Sequence, residues 1–402
     1  MNLARAVKKS FAIALLATSV CVHAVETNVS PLFEQVGFST LDAYGQHGTT
    51  GGGTNMPVVV RTAKEFQTAC ERLEIKDKKI RAVTPRVVLV ANDIDLGELA
   101  NVTGSSTGKN VGIVRPLSDT TIFSTNGATL KRGTIELHGT HNIVIRNLKF
   151  RDLWEFDSTG KYDRLGWDYV RITDHGQTRA HHVWVDHCDF GKVYDGDVDI
   201  VHGSDCVTVS WCKFSGDERG PQKKVSLVGH SSGPGALEKD RGYLNVTFHH
   251  NWFTNIEDRT PRARTGNIHS FNNLVETANY ATISVMGAVT LAEGNVYRDA
   301  KCATTFSHAK DSVLKEKGGK ICLVDCRNEN PRTTAIAEKT DERFEQENNF
   351  KANVERAALQ FNPPAGFAWT NLNALPYRHA ADAADATAEL VKRWAGLIRG
   401  QD

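Results

Sequence analysis

The aspartates Asp195, Asp197 and Asp199 alternate along a short stretch of the sequence, and Asp168 lies upstream of them. On an extended strand, their three side chains would face one side, because alternate residues of a strand point the same way. Carboxylates crowded on one face repel each other unless a cation lies among them. The pattern therefore favours a site for a hard cation with oxygen ligands. A fully solvated acidic loop is the alternative.

An EF-hand is the obvious competitor for the segment that begins at Asp195. Ile200 stands where that loop requires glycine, and Cys206 stands where it requires glutamate. The sequence thus excludes an EF-hand, and any cation here must be held by another arrangement.

Basic residues follow the acidic group in two places. Two lysines, the second of which is Lys224, precede an apolar run, and the segment RTPRAR at 259–264 contributes Arg259, Arg262 and Arg264. Three guanidinium groups around a proline make a compact array of donors, and such donors bind carboxylates in a bidentate way. A surface network of salt bridges is the less specific interpretation.

A repeated pattern of alternating β-branched or aromatic residues must position these groups. Its copies start 40, 24, 39, 22 and 21 residues apart, and they are IVIRNLKF at 143, VWVDHCDF at 183, VTVSWCKF at 207, VTFHHNWF at 246, IHSFNNLV at 268 and VTLAEGNV at 289. The short spacings suit one coil of a parallel β-helix, and the long ones suit a coil with an inserted loop. A β-sandwich is the alternative, but few tight hairpin turns separate the copies.

The pattern predicts an all-β solenoid, a right-handed parallel β-helix, whose stacked coils share one interior. Asparagines near the ends of the repeats can hydrogen-bond along the stack. Amphipathic segments at 62–74 and 380–398 are expected to form short helices that cover an end and a side. Because the acidic group, the lysines and the arginines come from consecutive repeats, the solenoid can bring them onto one wall.

Residues 1–24 have the features of a secretory signal peptide: a basic start, a short apolar run and small residues before a cleavage point after Ala24. The apolar run is too short for a bilayer span. We expect one domain over 25–402, with a C-terminal extension from about 300. Without the leader, 45 Lys and Arg stand against 47 Asp and Glu, a formal charge of −2. This balance gives no general affinity for nucleic acid.

Seven cysteines remain after the leader, and export makes disulfides plausible. Cys188 and Cys212 share one repeat position, so they could stack as neighbours and could form a bridge. Among Cys302, Cys322 and Cys326 one C-terminal bridge is expected, but the sequence does not say which two would join.

The chain resembles the pectate lyases of polysaccharide lyase family 1 from residue 49 to about residue 297. The resemblance rests on motifs that occur in this order: TTGGG at 49–53, IVIRNLKF, WVDH at 184–187, DGDVDI at 195–200, KKVSLVG at 223–229 and RTPRAR. It implies a right-handed parallel β-helix, which agrees with the repeats.

The resemblance implies site residues at the positions that match the motifs of the family. Asp168, Asp195 and Asp199 match calcium ligands of the family, so it implies Ca²⁺ as cofactor. Lys224 matches a lysine that holds a substrate carboxylate, and Arg259 matches the catalytic arginine.

Arg264 matches a substrate-binding arginine, and we expect the neighbouring Arg262 to bind substrate as well. Two positions depart from relatives. Gly166 stands where some have a further acidic ligand, and Asp197 stands where many have a small residue.

The implied activity is cleavage of polygalacturonate by β-elimination, in a secreted, bacterial, monomeric enzyme. Arg259 would remove the C5 proton, and we expect Ca²⁺, Lys224 and Arg264 to lower its pKa. The alternatives are a pectin lyase that acts on methylated pectin without calcium, and a non-catalytic β-helix that binds polysaccharide.

Overall fold

A computed structural model describes residues 34–71, 75–76, 79–80, 85–99, 111–153, 167–191, 193, 195–217, 224–305, 307–308, 316–317, 319–332 and 375–398. The expected signal peptide, Gly166 and Lys223 lie outside the described residues. Val36–Asp402 group into one compact unit. The single domain over 25–402 stays a prediction.

Three long parallel sheets make up the fold. The ten-stranded sheet contains, in spatial order, Pro57–Val60, Arg86–Val90, Thr120–Phe123, His141–Arg146, His181–Asp186, Asp205–Ser210, Asn245–His249, Asn267–Phe271, Val289–Glu293 and Lys320–Val324. The eight-stranded sheet contains Gly112–Val114, Gly133–His138, Val170–Thr173, Val198–Ile200, Leu227–Val228, Arg262–Arg264, Tyr280–Val285 and Cys302–Thr305. The nine-stranded sheet contains Ile94–Asp95, Thr129–Lys131, Lys149–Arg151, Asp189–Phe190, Lys213–Ser215, Trp252–Ile256, Leu274–Ala278, Val296–Arg298 and Arg327–Glu329.

Each coil in the middle of the solenoid contributes one strand to each sheet, so neighbouring strands in a sheet come from successive coils. The repeats predicted from sequence stack in register: Ile143 pairs with Val183, Val183 with Val207, and Val207 with Val246. The expected parallel β-helix is confirmed.

Apolar side chains of successive coils fill the interior in columns. The rings of Phe150, Phe190, Phe214 and Phe253 stack with centroids 4.8, 4.9 and 4.9 Å apart. This matches the spacing of paired strands, about 4.8 Å. Each ring is almost fully buried, so the column forms a continuous core.

A buried column of asparagines stabilises one bend of the coils, as the sequence predicts. Nδ2 of Asn251 donates to Oδ1 of Asn273 at 3.0 Å, and Nδ2 of Asn273 donates to Oδ1 of Asn295 at 3.0 Å. Oδ1 of Asn251 also accepts the backbone N–H of Cys212 at 2.9 Å. These bonds satisfy backbone groups that the bend removes from the sheets.

Both predicted helices form in the described part of the chain. The helix Ala63–Glu71 buries Ala63, Phe66 and Cys70 at the N-terminal end of the solenoid. The helix Ala384–Trp394 packs Ala384 and Val391 on the nine-stranded sheet.

The remaining elements of the described residues are short. They are the helix Pro234–Asp240, the 3₁₀ turns Phe38–Thr40 and Leu96–Leu99, and the antiparallel pairs Asp42–Ala43 with Gln46–His47, Ile75–Lys76 with Lys79–Ile80, and Ser307–His308 with Glu316–Lys317.

The disulfide expected near the C-terminus is wrong: no bridge joins any of the seven cysteines in the described part of the chain. Cys302 lies in the eight-stranded sheet and Cys322 in the ten-stranded sheet, while Sγ of Cys326 donates to the carbonyl of Ala292 at 3.4 Å. Cys188 and Cys212 do stack, with the backbone N of Cys188 3.5 Å from Sγ of Cys212, but both remain thiols.

Candidate active site

Four consecutive strands of the eight-stranded sheet carry the predicted site residues, either within the strand or just before it. Asp168 precedes Val170–Thr173, and Asp199 lies in Val198–Ile200, where it pairs with Arg171 of the preceding coil. Lys224 and Asp258 form a parallel bridge one coil further on, next to Arg259. The solenoid therefore brings the acidic and basic groups onto one wall.

The acidic group differs from the sequence-based expectation in one respect. The strand begins only at Val198, so Asp195 and Asp197 lie in the preceding turn rather than on one strand with Asp199. Asp197 is fully buried, whereas Asp195 is partly exposed. Strand alternation alone thus does not explain how these carboxylates are placed.

Backbone donors hold two of the carboxylates in place. Oδ1 of Asp168 accepts the N–H of Gly196 at 3.0 Å, and Oδ1 of Asp199 accepts the N–H of Leu227 at 2.9 Å. Oδ1 of Asp195 is buried and has no hydrogen-bond partner among the described residues. A buried carboxylate oxygen in that state is a ready ligand for a cation.

Gly196 is the residue that allows the turn to lie between two of these carboxylates. A Cβ atom at this position would lie 2.7 Å from Oδ1 of Asp168 and 2.8 Å from Oδ1 of Asp199. Both distances are far below an ordinary contact, so any larger side chain would push the carboxylates apart.

Burial and mutual repulsion perturb the pKa values of two buried acids of this group, Asp168 and Asp199. Burial, followed by the charges of Asp199 and Asp195, raises the pKa of Asp168 well above its usual range. Burial raises the pKa of Asp199 to about 6; Arg259 opposes this rise and Asp195 adds to it. Carboxyl groups that repel each other when they are ionised are stabilised in the ionised form by a positive charge among them.

Arg259 supplies a positive charge at this point. Its Nη1 atom lies 3.8 Å from Oδ1 of Asp195 and 3.9 Å from Oδ2 of Asp199, and its Nε lies 3.5 Å from Oδ1 of Asp258. Nζ of Lys224 lies 3.9 Å from the same oxygen of Asp195. Nη1 and Nε of Arg259 have no hydrogen-bond partner among the described residues, so at these two atoms the guanidinium is held by charge rather than by directed bonds.

The pKa of Arg259 is perturbed in the direction opposite to the one expected. Burial lowers it, but the carboxylates of Asp199 and Asp195 outweigh burial, and the pKa is raised. The expectation counted Ca²⁺, Lys224 and Arg264 as neighbouring cations. In this structure carboxylates dominate the surroundings of the guanidinium.

Arg262 and Arg264 meet a carboxylate that the sequence analysis missed. Nη2 of Arg262 donates to Oε2 of Glu316 at 2.5 Å, and Nε of Arg264 donates to Oε1 at 2.6 Å. Glu316 is 2 % exposed. Burial tends to raise the pKa of Glu316, but Arg264 and Arg262 hold it below its usual range. Burial and the charge of Arg262 lower the pKa of Arg264.

Asp258 is a second acid that the sequence analysis missed. It is buried, and its Oδ2 lies 4.0 Å from Nη1 of Arg262. Its position immediately before the arginine array was a usable signal. Glu316 had no such signal, because it lies 52 residues from Arg264.

A family model described as pectate lyase matches residues 15–392. The chain belongs to the pectate lyase family. Pectate lyase B of Paenibacillus amylolyticus is 33% identical in an alignment 294 residues long, which covers 58% of this chain and 72% of that protein. The pectate trisaccharide-lyase of Thermotoga maritima is 32% identical over 290 residues, which are 72% of this chain and 66% of that protein.

Solved pectate lyase structures share the fold of this pectate lyase. The pelN enzyme of Paenibacillus sp. 0602 superposes with a TM-score of 0.63 at 24% identity, over 89% of this chain and 94% of that one. Bsp165PelA of Bacillus sp. N165, in complex with trigalacturonate, superposes with a TM-score of 0.62 at 18% identity, over 90% of this chain and 99% of that one. The family and the fold expected from the sequence motifs are therefore confirmed.

Within the ranges that the structure describes, no helix combines the length and the apolar character needed to cross a bilayer.

Proposed function

We propose that this pectate lyase cleaves polygalacturonate by calcium-dependent β-elimination, with Arg259 as the base. The observation that carries the proposal is the position of Nη1 of Arg259, 3.8 Å from Asp195 and 3.9 Å from Asp199, beside Lys224. A glycosidase needs two carboxyl groups in acid and base or nucleophile roles. Here the carboxylates converge on one another, and the group beside them is a guanidinium.

Asp168, Asp195 and Asp199 would hold the calcium ion. The buried oxygen of Asp195 without a hydrogen-bond partner, and the raised pKa of Asp168, both fit a hard cation at this place. When bound, calcium supplies positive charge that stabilises negative charge on a carboxylate of the substrate.

Lys224 binds a galacturonate carboxylate and, through its ammonium charge, favours the enolate-like state in which negative charge builds on that group. Arg259 then accepts the proton from C5. The electrons of the C5–H bond form the C4–C5 double bond, and the bond from C4 to the glycosidic oxygen breaks. Its electron pair stays on that oxygen, which takes up a proton from water and becomes a hydroxyl group of the departing fragment.

An arginine acts as a base only when it is neutral, and the site contains the means to favour that form. Burial acts to lower the pKa of Arg259, and the carboxylates of Asp199, Asp195, Asp258 and Asp168 raise it. If Asp168, Asp195 and Asp199 are neutralised as metal ligands, only Asp258 still opposes the lowering influence of burial. Activity is therefore expected to be highest in alkaline solution.

Arg264 and Arg262 are proposed to bind further carboxylates of the polymer. Both guanidinium groups are buried and both contact Glu316, so the substrate would meet them as part of a fixed, charged wall. Electrostatic attraction to an acidic polymer then comes from this local cluster, because the whole chain is close to neutral.

One assay tests the activity and separates the alternatives. The ultraviolet absorbance of unsaturated product ends is followed on polygalacturonate and on highly methylated pectin, with and without EDTA. We expect rapid release from polygalacturonate, loss of that release in EDTA, and recovery with added Ca²⁺. Undiminished turnover in EDTA on methylated pectin would indicate a pectin lyase, and no turnover on either polymer would indicate a non-catalytic β-helix.

Secretion of a monomeric bacterial enzyme remains part of the proposal. The leader-like pattern of residues 1–24 supports secretion. Mass spectrometry of the protein from a culture supernatant would test it, with a mature N-terminus at Val25 as the expected result.

A further inference from the structure

A second group of metal-binding side chains lies on the ten-stranded sheet, separate from the eight-stranded sheet that carries the candidate active site. It consists of His269, Glu293 and His379, whose ligand atoms all lie within 4.8 Å of one another. Oε2 of Glu293 is 2.7 Å from Nε2 of His379 and 3.3 Å from Nε2 of His269. Two imidazole nitrogens thus approach the same carboxylate oxygen.

The solenoid positions two of these residues. His269 pairs with Leu291 of the next coil, and Glu293 follows two residues later on that strand. Because residues two apart on a strand face the same side, Glu293 lies diagonally beside His269 on the sheet surface.

The C-terminal segment supplies the third residue. His379 lies in 375–383, the stretch that precedes the helix Ala384–Trp394. Asp382 anchors this stretch to the solenoid: its N–H donates to Oδ1 of Asn272 at 2.9 Å, and its carbonyl accepts Nδ2 of Asn272 at 2.7 Å. The position of His379 is therefore fixed by bonds outside the cluster.

A tyrosine orients His269. The hydroxyl of Tyr377 lies 2.7 Å from Nδ1 of His269 and 2.9 Å from Oγ1 of Thr247. If the tyrosine donates to Thr247, it accepts the Nδ1–H of His269, and the lone pair on Nε2 then faces Glu293. Metal-binding histidines commonly have their other ring nitrogen fixed in this way by an oxygen acceptor.

We propose that His269, Glu293 and His379 bind a divalent transition-metal ion of the zinc type, which fastens the C-terminal segment to the β-helix. Two imidazoles and one carboxylate are a common ligand set for zinc, with a water molecule in the fourth position. The side chains of Glu293 and His379 are 14% and 11% exposed, so water can reach that position. Calcium prefers oxygen ligands, which distinguishes this site from the aspartate cluster.

The rival explanation is a hydrogen-bonded network without metal, in which both histidines donate Nε2–H to Glu293. In that arrangement Tyr377 donates to Nδ1 of His269. The two explanations differ in the proton on Nε2 of His269, and so they predict different responses to zinc. The proposal does not depend on the catalytic assignments above.

Zinc binding is measured on the full-length protein after chelation, dialysis and addition of Ca²⁺. Increasing ZnCl₂ is added, and bound zinc per chain is determined by inductively coupled plasma mass spectrometry, together with the thermal unfolding midpoint. We expect one zinc ion per chain and a midpoint that rises with zinc concentration. A Co²⁺-loaded sample should show the visible absorption bands of a tetrahedral nitrogen and oxygen site.

Variants locate the ion. His379→Ala should abolish the zinc-dependent rise of the midpoint, and Tyr377→Phe should weaken zinc binding by about 10–100-fold because it removes only the orienting hydroxyl. His250→Gln is the matched control: Nε2 of His250 lies 3.0 Å from Oδ2 of Asp382 in the same C-terminal segment, but His250 is outside the cluster. It should bind zinc as the unaltered protein does.

Two results would overturn the proposal. One is the absence of stoichiometric zinc on the unaltered protein, which would favour the hydrogen-bonded network. The other is equal zinc binding by His379→Ala, which would place the ion elsewhere. The far-ultraviolet circular dichroism and the cooperative thermal unfolding of each zinc-free variant check that it is folded, so a loss of zinc binding by a folded variant is specific to the cluster.

Discussion

Nε of Arg264 donates a 2.6 Å hydrogen bond to Oε1 of Glu316, a residue 52 positions further along the chain. Oε2 of the same carboxylate accepts Nη2 of Arg262. One carboxylate therefore compensates two buried guanidinium groups that we propose to bind substrate. Glu316 is the carboxylate that lies within hydrogen-bonding distance of both Arg262 and Arg264, and it separates the charges of these two neighbouring guanidinium groups.

Glu316→Gln is expected to destabilise the fold strongly. Removing one partner of a buried ion pair leaves an uncompensated charge and typically costs about 3–5 kcal/mol. The measurement is the free energy of unfolding in urea, in the presence of Ca²⁺. Glu329→Gln is the matched control, since Arg298 contacts Glu329 at 2.7 Å but the side chain of Glu329 is 41% exposed.

The control variant should lose less than about 1 kcal/mol, as exposed ion pairs do. Arg298 also keeps Glu276 as a partner at 2.9 Å. Equal losses for the two variants would mean that burial of Glu316 does not determine the strength of its contacts.

The contribution of Glu316 to stability should also depend on pH. Its pKa is lowered in the folded protein by Arg264 and Arg262, against the effect of burial. A group with a lowered folded-state pKa contributes stability that is complete above its unfolded pKa, about 4.3 for glutamate, and is lost as the pH falls through the folded value. The difference in unfolding free energy between the unaltered protein and Glu316→Gln should be constant at neutral pH and shrink below about pH 4. A difference that grows towards acid pH would contradict the assignment.

Asp199→Ala should weaken calcium binding, and so raise the calcium concentration needed for the half-maximal rate, more than Asp197→Ala does. Oδ2 of Asp199 lies 3.9 Å from Nη1 of Arg259, and the charge of Asp199 repels that of Asp168. Asp197 is fully buried, and its position matches the pattern of the family poorly. Initial rates on polygalacturonate are measured across a calcium titration, and the concentration for half-maximal rate is compared. If Asp197→Ala shifted that concentration further, the proposed ligand set would have to be revised.

The sequence predicted the architecture because every coil repeats the same local pattern. Val183, Val207 and Val246 occupy one position of that pattern, and stacking places them in register. The wall that unites Asp168, Lys224 and Arg259 follows from the same stacking. Residues at equivalent positions of successive repeats become neighbours when the coils stack.

Features outside the repeat could not be predicted in this way. Glu316 reaches Arg264 from a two-residue strand that belongs to none of the three long parallel sheets. The shared repeat position of Cys188 and Cys212 correctly indicated contact, but contact between thiols does not by itself produce a disulfide. The turn that holds Asp195 departs from a regular strand, so alternation did not describe its geometry.

Arg259→Lys tests the proposed base most directly. Lysine keeps the positive charge near Asp195 and Asp199, so a purely electrostatic role should largely survive the change. The function of a general base should be lost on this change, because the ammonium nitrogen of lysine lies on a different, flexible stem and cannot occupy the position of Nη1. Loss of a general base typically lowers the rate by about 10²–10⁴-fold. We therefore expect kcat on polygalacturonate to fall by that factor while KM changes little.

Arg264→Lys is the comparison that separates catalysis from binding. Its guanidinium contacts Glu316 and the carbonyl of Gly229 rather than the aspartate cluster, so its proposed role is to hold the polymer. A group that binds ground state and transition state alike mainly affects KM. KM should rise and kcat should change little. If Arg259→Lys instead retained nearly the kcat of the unaltered enzyme, the guanidinium could not be the base, and Lys224, which lies 3.9 Å from Asp195 on the same wall, would be the next residue to test.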